Sequence, residues 1–367
     1  MALTVLRVAY PFAPVEWEPV GGAERILACL DRALVEAGHR SLVIAAEGSH
    51  VAGQLIAIPG ASEGLDGQAR ARASATVRRT VERTLALEPV DLLHLHGLDC
   101  AEYLPPPGVA VLVTLHLPPE LYPAELLEPR RPRTWLVPVS HTQARSLSGA
   151  RVLPPIANGV EMPRAQVHAR RGYVLAMGRI CPEKGFHDAL EAARRARRPL
   201  LLAGRVFAYR EHEEYFRAEI VPRLDTLRRW IGPVAGARKR RLLAGARCVL
   251  IPSRIAETSS LVAMEALAAG TPVVAYPCGA LPELVEEGVT GFIVDDVSAM
   301  AQAIEQASRI DPEQCRRAAR ERFALERMTA AYLALYARLA GGGEPAQDAA
   351  LQYCDRDRIK PRDSASI

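Results

Sequence analysis

Short apolar segments alternate with helix-like stretches along most of this chain, and that rhythm constrains the fold more than any other feature. In the first half, the apolar segments are Thr4–Ala9, Ser41–Ala45, Asp91–His96, Val109–Leu115 and Trp135–Val139. The intervening stretches 23–38 and 71–87 repeat apolar residues at helical spacing. Strands that alternate with helices predict βαβ units on a parallel sheet that is buried on both faces.

The same rhythm restarts after a basic, polar stretch that ends at Arg171. The apolar segments of the second half are Tyr173–Met177, Leu200–Ala203, Cys248–Pro252, Pro272–Ala275 and Gly291–Val294. We therefore predict two doubly wound α/β domains, residues 1–160 and 161–340, with a hinge near 155–171. The stretch Arg320–Leu339 is predicted as the last helix, and the tail 341–367, which has little to bury, as disordered.

Composition excludes several other classes of protein. With 49% hydrophobic residues among 367, the chain can bury the cores of two globular domains. No apolar run reaches the ~18 residues of a membrane span, and the opening MALTVLRVAY is typical of a strand, not of a signal peptide. The seven cysteines are odd in number and form no Cys-x-x-Cys pair, which favours reduced thiols in a cytoplasm. A net charge of +4 does not indicate nucleic-acid binding.

The usual nucleotide-binding fingerprints are missing from the sequence. Neither G-x-G-x-x-G after a strand nor G-x-x-x-x-G-K-[ST] occurs, which argues against a dinucleotide-dependent dehydrogenase and a P-loop NTPase. Ligands of doubly wound sheets bind outside the carboxyl ends of the strands. Three loops at such strand ends are therefore the candidate binding loops.

The first candidate loop, 177–185, leaves the first strand of the second domain with the sequence MGRICPEKG. It places Arg179 and Lys184 over a predicted helix N-terminus. An arginine fork, a lysine point charge and the helix dipole together suit a bound diphosphate. A solvated loop with an ion pair to Glu183 is the alternative.

The second candidate loop precedes a helix of good helix formers that Ser259-Ser260 is expected to cap. Glu257 lies in the loop and Glu265 about a turn inside the helix, so the two carboxylates can straddle a ligand and accept hydrogen bonds from its hydroxyls. The backbone N–H groups between them can bind an anionic oxygen. A pair of solvated glutamates is the alternative.

Two further features carry weaker signals. Gly21 and Gly22 end the first loop of the chain, where they permit close approach to a phosphate or simply form a flexible turn. His94 and His96 share one face of a strand, and without a third ligand they favour a structural or substrate-lining role over a metal pair. A cluster of arginines favours a solvated helix face over a peripheral membrane surface; its members are Arg70, Arg72, Arg78, Arg79 and Arg83.

Together these motifs resemble the retaining glycosyltransferases of family 4, which have the GT-B fold. The resemblance rests on GR-x-x-PEKG at 178–185 and on the two glutamates 257 and 265, which are followed by ALAAGTPVV. Further matches follow the same order along residues 4–340: Gly21-Gly22-Ala23-Glu24, Asn158-Gly159-Val160, Gly279-Ala280-Leu281-Pro282-Glu283 and Gly288-x-x-Gly291-Phe292. The resemblance implies two Rossmann-like domains facing across a cleft, with a C-terminal helix that crosses back to the first.

The resemblance also implies which residues bind a nucleotide-sugar donor. Arg179 and Lys184 would hold the diphosphate, Glu265 the ribose hydroxyls, and Gly21 and Gly22 would close on the phosphates from the first domain. The remaining implied donor-binding residues are Ile231, whose backbone faces the base, and Ser259, Ser260 and Leu261.

The implied catalytic residues are Glu257, which would contact the transferred sugar, and His116, which ends a strand near it. The acceptor hydroxyl would attack from the face of the leaving group, and a phosphate oxygen would take its proton. Where the family often has Pro-Phe-Gly-Leu after the first glutamate, this chain has Thr258-Ser259-Ser260-Leu261, whose backbone N–H groups can still bind a phosphate. No metal ligand is implied.

The sequence thus predicts a metal-independent hexosyltransferase of the EC 2.4 class that needs no cofactor. Its partners would be a nucleotide-sugar, most often a UDP-sugar in this family, and a small-molecule, glycan or lipid-linked acceptor, with no nucleic acid. A nucleotide-sugar epimerase of the same fold and a non-catalytic nucleotide-sugar-binding protein are the alternatives. The expected location is the cytoplasm, with contact to the inner face of the membrane left open.

Overall fold

The computed structural model describes residues 2–15, 21–60, 67–163 and 172–343. The first sheet comprises β1 (Thr4–Val8), β2 (Arg40–Ala46), β3 (Gln54–Ile58), β4 (Leu92–Leu95), β5 (Ala110–Leu115) and β6 (Thr134–Pro138). The second sheet comprises β7 (Val174–Met177), β8 (Leu200–Ala203), β9 (Arg228–Trp230), β10 (Cys248–Ile251), β11 (Val273–Ala275) and β12 (Gly291–Ile293). The predicted disordered tail from residue 344 onward and residues 164–171 of the predicted hinge lie outside the described residues.

Helices flank both sheets. Those of the first half are α1 (Gly22–Glu36), α2 (Gly67–Leu87), α3 (Ala124–Leu127) and α4 (His141–Arg145). Those of the second half are α5 (Phe186–Arg195), α6 (Arg210–Tyr215), α7 (Gly236–Gly245), α8 (Leu261–Ala268), α9 (Leu281–Leu284), α10 (Val297–Gln306), α11 (Pro312–Phe323) and α12 (Leu325–Ala340). Short 3₁₀ turns lie at Cys100–Tyr103, Pro119–Leu121, Pro182–Lys184, Val221–Arg223 and Ala307–Arg309, and a π turn at Phe216–Ile220.

Both sheets are wholly parallel and have the same topology. Their strand orders are β3-β2-β1-β4-β5-β6 and β12-β11-β10-β7-β8-β9. In each, the chain moves outward in one direction and then returns to the centre to build the other half. The order therefore reverses between β1 and β4 in the first sheet and between β7 and β10 in the second, and a cleft opens at that point. The prediction of two doubly wound domains is confirmed.

Every strand predicted from an apolar run is present, because strands buried on both faces need continuous apolar sequence. The edge strand β3 was not predicted. Of its residues only Ile58 is buried, so the segment lacks the apolar run that marks the central strands. The other edge strand, β9, is short, and two of its three residues are exposed.

The predicted helix Arg320–Leu339 is wrong at its start, because it joins parts of two helices. The chain leaves the helical conformation at Ala324, whose φ of −62° and ψ of 135° are extended, so α11 ends at Phe323 and α12 begins at Leu325. Ala324 instead pairs as a single β-bridge with Val160. The backbone N–H of Val160 donates to Phe323 O at 2.8 Å, and that of Leu325 donates to Val160 O at 3.0 Å.

Helix α12 crosses back to the first domain, as the resemblance implied. Its apolar face packs with α1 and the first sheet in one core, to which it contributes Leu325, Met328, Tyr332, Leu335, Tyr336 and Leu339. Full burial of a large apolar side chain stabilises a fold by about 1.5–3 kcal/mol relative to exposure. The core of the first domain is therefore completed by α12, a helix that lies far from the rest of that domain in the sequence.

A buried polar network fastens α12 to the first sheet. The two ring nitrogens of His94 lie 2.7 Å from the Tyr336 hydroxyl and 2.8 Å from Thr114 Oγ1. The Tyr332 hydroxyl lies 2.9 Å from the same Thr114 oxygen. Both nitrogens of His94 thus have hydrogen-bonding partners, which supports the structural interpretation of this histidine.

The surface of α2 carries the clustered arginines, all of them exposed. Arg78 donates hydrogen bonds to the backbone oxygen of Glu102, and Arg79 to Thr76 Oγ1. Within the described ranges, no helix has the combination of length and apolar character that a membrane crossing requires.

Replacement Tyr336→Phe is expected to destabilise the protein by about 1–3 kcal/mol, because it leaves a buried nitrogen of His94 without its partner. Denaturant unfolding of the variant measures the loss. Tyr209→Phe, at a tyrosine that is 45% exposed, is the matched control and should leave stability unchanged. Equal stability of both variants would contradict the assigned role of the network.

Candidate active site

The topology brings the candidate loops together at the switch point of the second sheet. Loop 178–185 follows β7 and loop 252–260 follows β10, and these two strands are neighbours on either side of the reversal. From the first domain, Gly21 and Gly22 begin α1, and His116 follows β5. The carboxyl ends of parallel strands meet at one edge of a sheet, so residues far apart in sequence converge here.

Lys184 and Glu257 form an ion pair between the two loops. The distance from Lys184 Nζ to Glu257 Oε1 is 2.5 Å, and the two side chains are 22% and 11% exposed. Ser253 Oγ donates to the same carboxylate oxygen at 2.5 Å. The alternative prediction was a solvated loop with an ion pair to Glu183. It is wrong for Lys184, whose partner is Glu257.

The backbone of Glu257 is fixed as well as its side chain. It forms a β-bridge with Gly279, and the N–H of Ala280 donates to Glu257 O at 2.7 Å. Gly279 has a φ of +62°, and a Cβ there would overlap the Glu257 backbone, so only glycine fits. These contacts fix the position of Glu257 relative to the segment that contains Gly279.

Glu265 is held by two cations, one from each domain. Lys239 Nζ of α7 lies 2.8 Å from Glu265 Oε1, and the Arg25 guanidinium of α1 contacts the same oxygen. The Glu265 side chain is only 10% exposed. This ion pair joins the two domains across the cleft.

Both carboxylates are fixed through one oxygen and present the other. The contacts of Glu257 with Lys184 and Ser253, and those of Glu265 with its two cations, all use Oε1. No donor among the described residues reaches Oε2 of either glutamate. Each Oε2 is therefore free to accept a hydrogen bond from a ligand hydroxyl.

Two helix N-termini face each other across the cleft. Ser260 caps α8, and its Oγ accepts from Ala263 N at 3.4 Å. Gly22 is the first residue of α1 and Leu261 the first residue of α8. A Cβ placed on Gly22 would lie 3.5 Å from Cδ1 of Leu261. Both helix ends carry partial positive charge, which favours an anion. At α1 the carboxylate of Glu24 already lies beside the Gly21 backbone.

Arg179 and Glu24 lie on opposite sides of the same cleft. Arg179 is exposed, and it acts electrostatically on Glu24 in the first turn of α1. Burial raises the pKa of Glu24, and Arg179 opposes that shift. Arg179 therefore lies close to the facing helix ends, as the diphosphate prediction requires.

His116 is anchored on both sides. Its Nε2 lies 2.9 Å from Nδ1 of His96, and its backbone oxygen accepts from Thr258 Oγ1 at 2.8 Å across the cleft. Burial lowers the pKa of His116 to about 4 and holds that of His96 well below its ordinary value. Both imidazoles are neutral at neutral pH, so His116 can orient a hydroxyl but carries no charge.

The remaining predicted residues occupy the edges of the site. Ile231 follows β9, and its N–H donates to Leu202 O at 2.9 Å, so this backbone group continues the sheet. The Ser259 hydroxyl is buried and has no hydrogen-bonding partner among the described residues. Arg25 and Lys239 were not predicted as site residues. Lys239 carried one signal, since it is one of only three lysines in the chain.

Fold and cleft together define a protein of GT-B architecture, two Rossmann-like domains with a charged site between them. Family models agree: that of Glycosyltransferase Family 4 matches residues 20–160, and that of Glycosyl transferases group 1 matches residues 171–309. The first model covers every strand of the first sheet except β1, and the second covers the whole second sheet. Together they span most of the chain. The chain therefore belongs to the family 4 glycosyltransferases.

Solved structures and curated sequences include several similar proteins. AviGT4, a glycosyltransferase involved in avilamycin A biosynthesis, aligns with a TM-score of 0.68 at 26% identity, over 93% of this chain and 99% of that one. Anabaena Alr3699/HepE in complex with UDP-glucose has the same fold, with a TM-score of 0.69 and 19% identity over 91% of this chain and 99% of that one. Glycogen synthase of Mycobacterium tuberculosis (strain CDC 1551 / Oshkosh) is 34% identical over 186 residues, 47% of this chain and 43% of the relative. The match thus spans less than half the length of that curated relative.

Three histidines with lowered pKa values, His94, His96 and His116, are expected to make the stability of the protein depend on pH. Since their pKa values are lowered in the folded state, the unfolded chain takes up protons that the folded chain does not. Stability is therefore complete above about pH 6.5 and falls as the pH drops toward 4, by up to about 1.4 kcal/mol per pH unit for each histidine. Urea unfolding over this range measures the slope.

The variant His116→Gln tests the assignment, because it removes one of these protonation sites and keeps hydrogen-bonding capacity. Its unfolding free energy should depend less steeply on pH than that of the parent protein. His50→Gln, at an exposed histidine, is the control and should keep the parental slope. Identical slopes for all three proteins would contradict the assignment.

Proposed function

We propose that this protein transfers a sugar from a nucleoside diphosphate donor, with UDP preferred, to an acceptor hydroxyl, with retention of anomeric configuration. One observation carries the proposal: Lys184, Glu257 and Glu265 converge with the N-termini of α1 and α8, which approach each other at Gly22 and Leu261. The positive groups suit a diphosphate, and the carboxylates suit hydroxyl groups on either side of it.

The positive groups of the cleft would stabilise the departing diphosphate. Negative charge develops on the leaving oxygen as the glycosidic bond breaks, and preorganised donors stabilise that charge most strongly. Lys184, Arg179 and the backbone N–H groups at Ser260-Leu261 would provide this stabilisation without a metal ion. In the free protein Lys184 is paired with Glu257. A bound diphosphate would therefore either share Lys184 with Glu257 or replace Glu257 as its partner.

The two glutamates divide the donor into a sugar end and a nucleoside end. Oε2 of Glu257 would accept from a hydroxyl of the transferred sugar, and Oε2 of Glu265 from the ribose. His116, neutral and anchored by His96, would orient the sugar from the other domain. The acceptor hydroxyl would attack from the face of the leaving group and pass its proton to a phosphate oxygen.

The choice of UDP rests on similarity. HepE, which shares this fold, is crystallised with UDP-glucose. We propose a small-molecule, glycan or lipid-linked acceptor and a cytoplasmic location, with any membrane contact made from the cytoplasmic side. These proposals concern the acceptor and the location of the protein, and the proposed reaction does not depend on them.

Donor screening tests the proposal directly. Thermal unfolding is followed with UDP, GDP, ADP and TDP and their sugars, and the products of the best donor are then identified. A ligand at about 100 times its Kd adds about 2.7 kcal/mol, which is readily detected. Stabilisation by none of them would contradict the proposal. Conversion of the donor to an isomeric nucleotide-sugar, without any acceptor, would instead indicate the epimerase alternative.

Replacement of Lys184 and replacement of Glu257 are expected to have different effects on UDP binding and on turnover. Lys184→Ala removes a charge from the diphosphate and leaves Glu257 uncompensated, so UDP binding should weaken by about 1.5–3 kcal/mol, and transfer should slow as well. Glu257→Gln releases Lys184 from its partner and leaves the nucleoside end intact. It should bind UDP at least as tightly as the parent protein and lose most of kcat.

Calorimetric titration with UDP alone, beside turnover with the intact donor, separates the two effects. Lys184→Arg is the control for charge, and it should rescue binding poorly because its planar fork cannot replace a compact ammonium group. Equal losses of UDP affinity in Lys184→Ala and Glu257→Gln would mean that the site has no separate sugar and phosphate ends.

Transfer should not depend on a divalent cation at the diphosphate. Lysine, arginine and helix N–H groups already supply the positive charge that Mg²⁺ supplies in other transferases. The rate with donor and acceptor in excess EDTA should equal the rate with added Mg²⁺ or Mn²⁺. Activity that vanishes in EDTA and returns with either ion would contradict this part of the mechanism.

A further inference from the structure

A second cluster of reactive side chains lies beside the donor loop. Cys181 and Glu183 belong to loop 178–185, and His212 belongs to α6. One ligand-type atom from each, the cysteine sulfur, a carboxylate oxygen and a ring nitrogen, lies within 4.8 Å of the other two. In the part of the chain that the structure describes, this is the one group of three or more such side chains at this spacing.

The fold brings the three residues together from two elements. Cys181 immediately precedes the 3₁₀ turn Pro182–Lys184, and Glu183 lies within that turn. The His212 ring packs edge-on against Tyr209, with 5.1 Å between ring centroids. Cys181 and His212 are 1% and 7% exposed, so the cluster is largely shielded from water.

Two polar atoms of the cluster have no hydrogen-bonding partner among the described residues. They are Oε2 of Glu183 and Nδ1 of His212, and both are buried. The Cys181 thiol contacts the Glu183 carboxylate and donates weakly to Arg179 O, at 3.6 Å. Buried polar atoms normally find partners, so these two call for a ligand between them.

We propose that Cys181, Glu183 and His212 bind one thiophilic divalent cation of the Zn²⁺ class, with a water molecule as fourth ligand. Sulfur, imidazole nitrogen and carboxylate oxygen are the ligands that Zn²⁺ takes in proteins, in a tetrahedral arrangement. A thiolate and a carboxylate together balance the charge of the cation. Harder ions such as Mg²⁺ prefer oxygen ligands and do not suit this set.

Without the cation, the cysteine is a neutral thiol. Burial and the neighbouring Glu183 raise its pKa to about 11. A bound divalent cation replaces that proton, because cysteine coordinates as the thiolate. The cation therefore converts a buried thiol and two unpartnered atoms into one satisfied site.

The proposed site would order the donor loop without contacting the diphosphate. It fastens loop 178–185 to α6 between Arg179 and Lys184, the two basic residues that the loop presents to the cleft. This role is structural and stands apart from the transfer step, which we propose to be metal-independent. The family resemblance implied no metal ligand. The sequence gives no sign of this site, because His212 lies on a different element and no short spacing marks the three residues.

Cobalt and zinc titrations of the full chain test the site. Protein stripped with EDTA and desalted should bind one Co²⁺ with a near-ultraviolet thiolate-to-cobalt band and intense visible bands of a four-coordinate ion. Added Zn²⁺ should abolish both sets of bands. The thiolate band should be absent in Cys181→Ser and retained in Cys29→Ser, a matched change at a half-buried cysteine of α1.

Thermal unfolding provides the second measurement. The unfolding temperature of the parent protein and of Cys29→Ser should rise with the logarithm of Zn²⁺ concentration, and that of His212→Asn should not. If Cys181→Ser does not fold, Glu183→Gln replaces it, with an expected loss of at least about tenfold in Zn²⁺ affinity.

A missing thiolate band, or Zn²⁺ stabilisation that is equal in all variants, would overturn the proposal. A stripped protein that is less heat-stable but keeps its transfer rate supports both the site and the proposed function. Failure of the metal titration leaves donor binding unaffected, so the two proposals fail separately.

Discussion

The backbone pairing of Val160 with Ala324 holds together the two places where the chain passes between the domains. Here the chain passes between the domains in both directions, and the two crossings lie side by side. A Cβ on Gly159 would lie 2.8 Å from Leu325 Cα, so close packing at the crossing requires a glycine. With the crossing fixed, α12 completes the core of the first domain, and the N-terminus of α1 comes to face that of α8.

Charge balance governs the cleft that results. Two glutamates beside the proposed anion site would repel the anion, and three cations offset them: Lys184 on Glu257, and Lys239 and Arg25 on Glu265. Each pair is largely buried, so removal of one partner leaves a poorly solvated charge behind. The pairing also explains why each carboxylate is fixed yet still has one oxygen free to bind a hydroxyl. Two of the three lysines in an otherwise arginine-rich chain lie at this site.

Much of the fold could be predicted from sequence, because strands of a parallel sheet are continuous apolar runs. The candidate site residues were predicted from loops at strand ends and from the family resemblance. Features set by contacts between distant segments could not be. The break at Ala324 interrupts a run of good helix formers, and only its pairing with Val160 accounts for it. The edge strand ending at Ile58 has too little burial to leave a pattern. Arg25 and Lys239 join the site through the packing of α1 and α7, which no local motif encodes.

The central claim is that a nucleoside diphosphate binds between the facing ends of α1 and α8. Hydrogen–deuterium exchange of the full chain, measured by mass spectrometry with and without UDP, tests this most directly. The account predicts slower exchange in three segments together: 21–26, 178–185 and 252–265. Unchanged exchange in all three, or protection confined to α2, would contradict it.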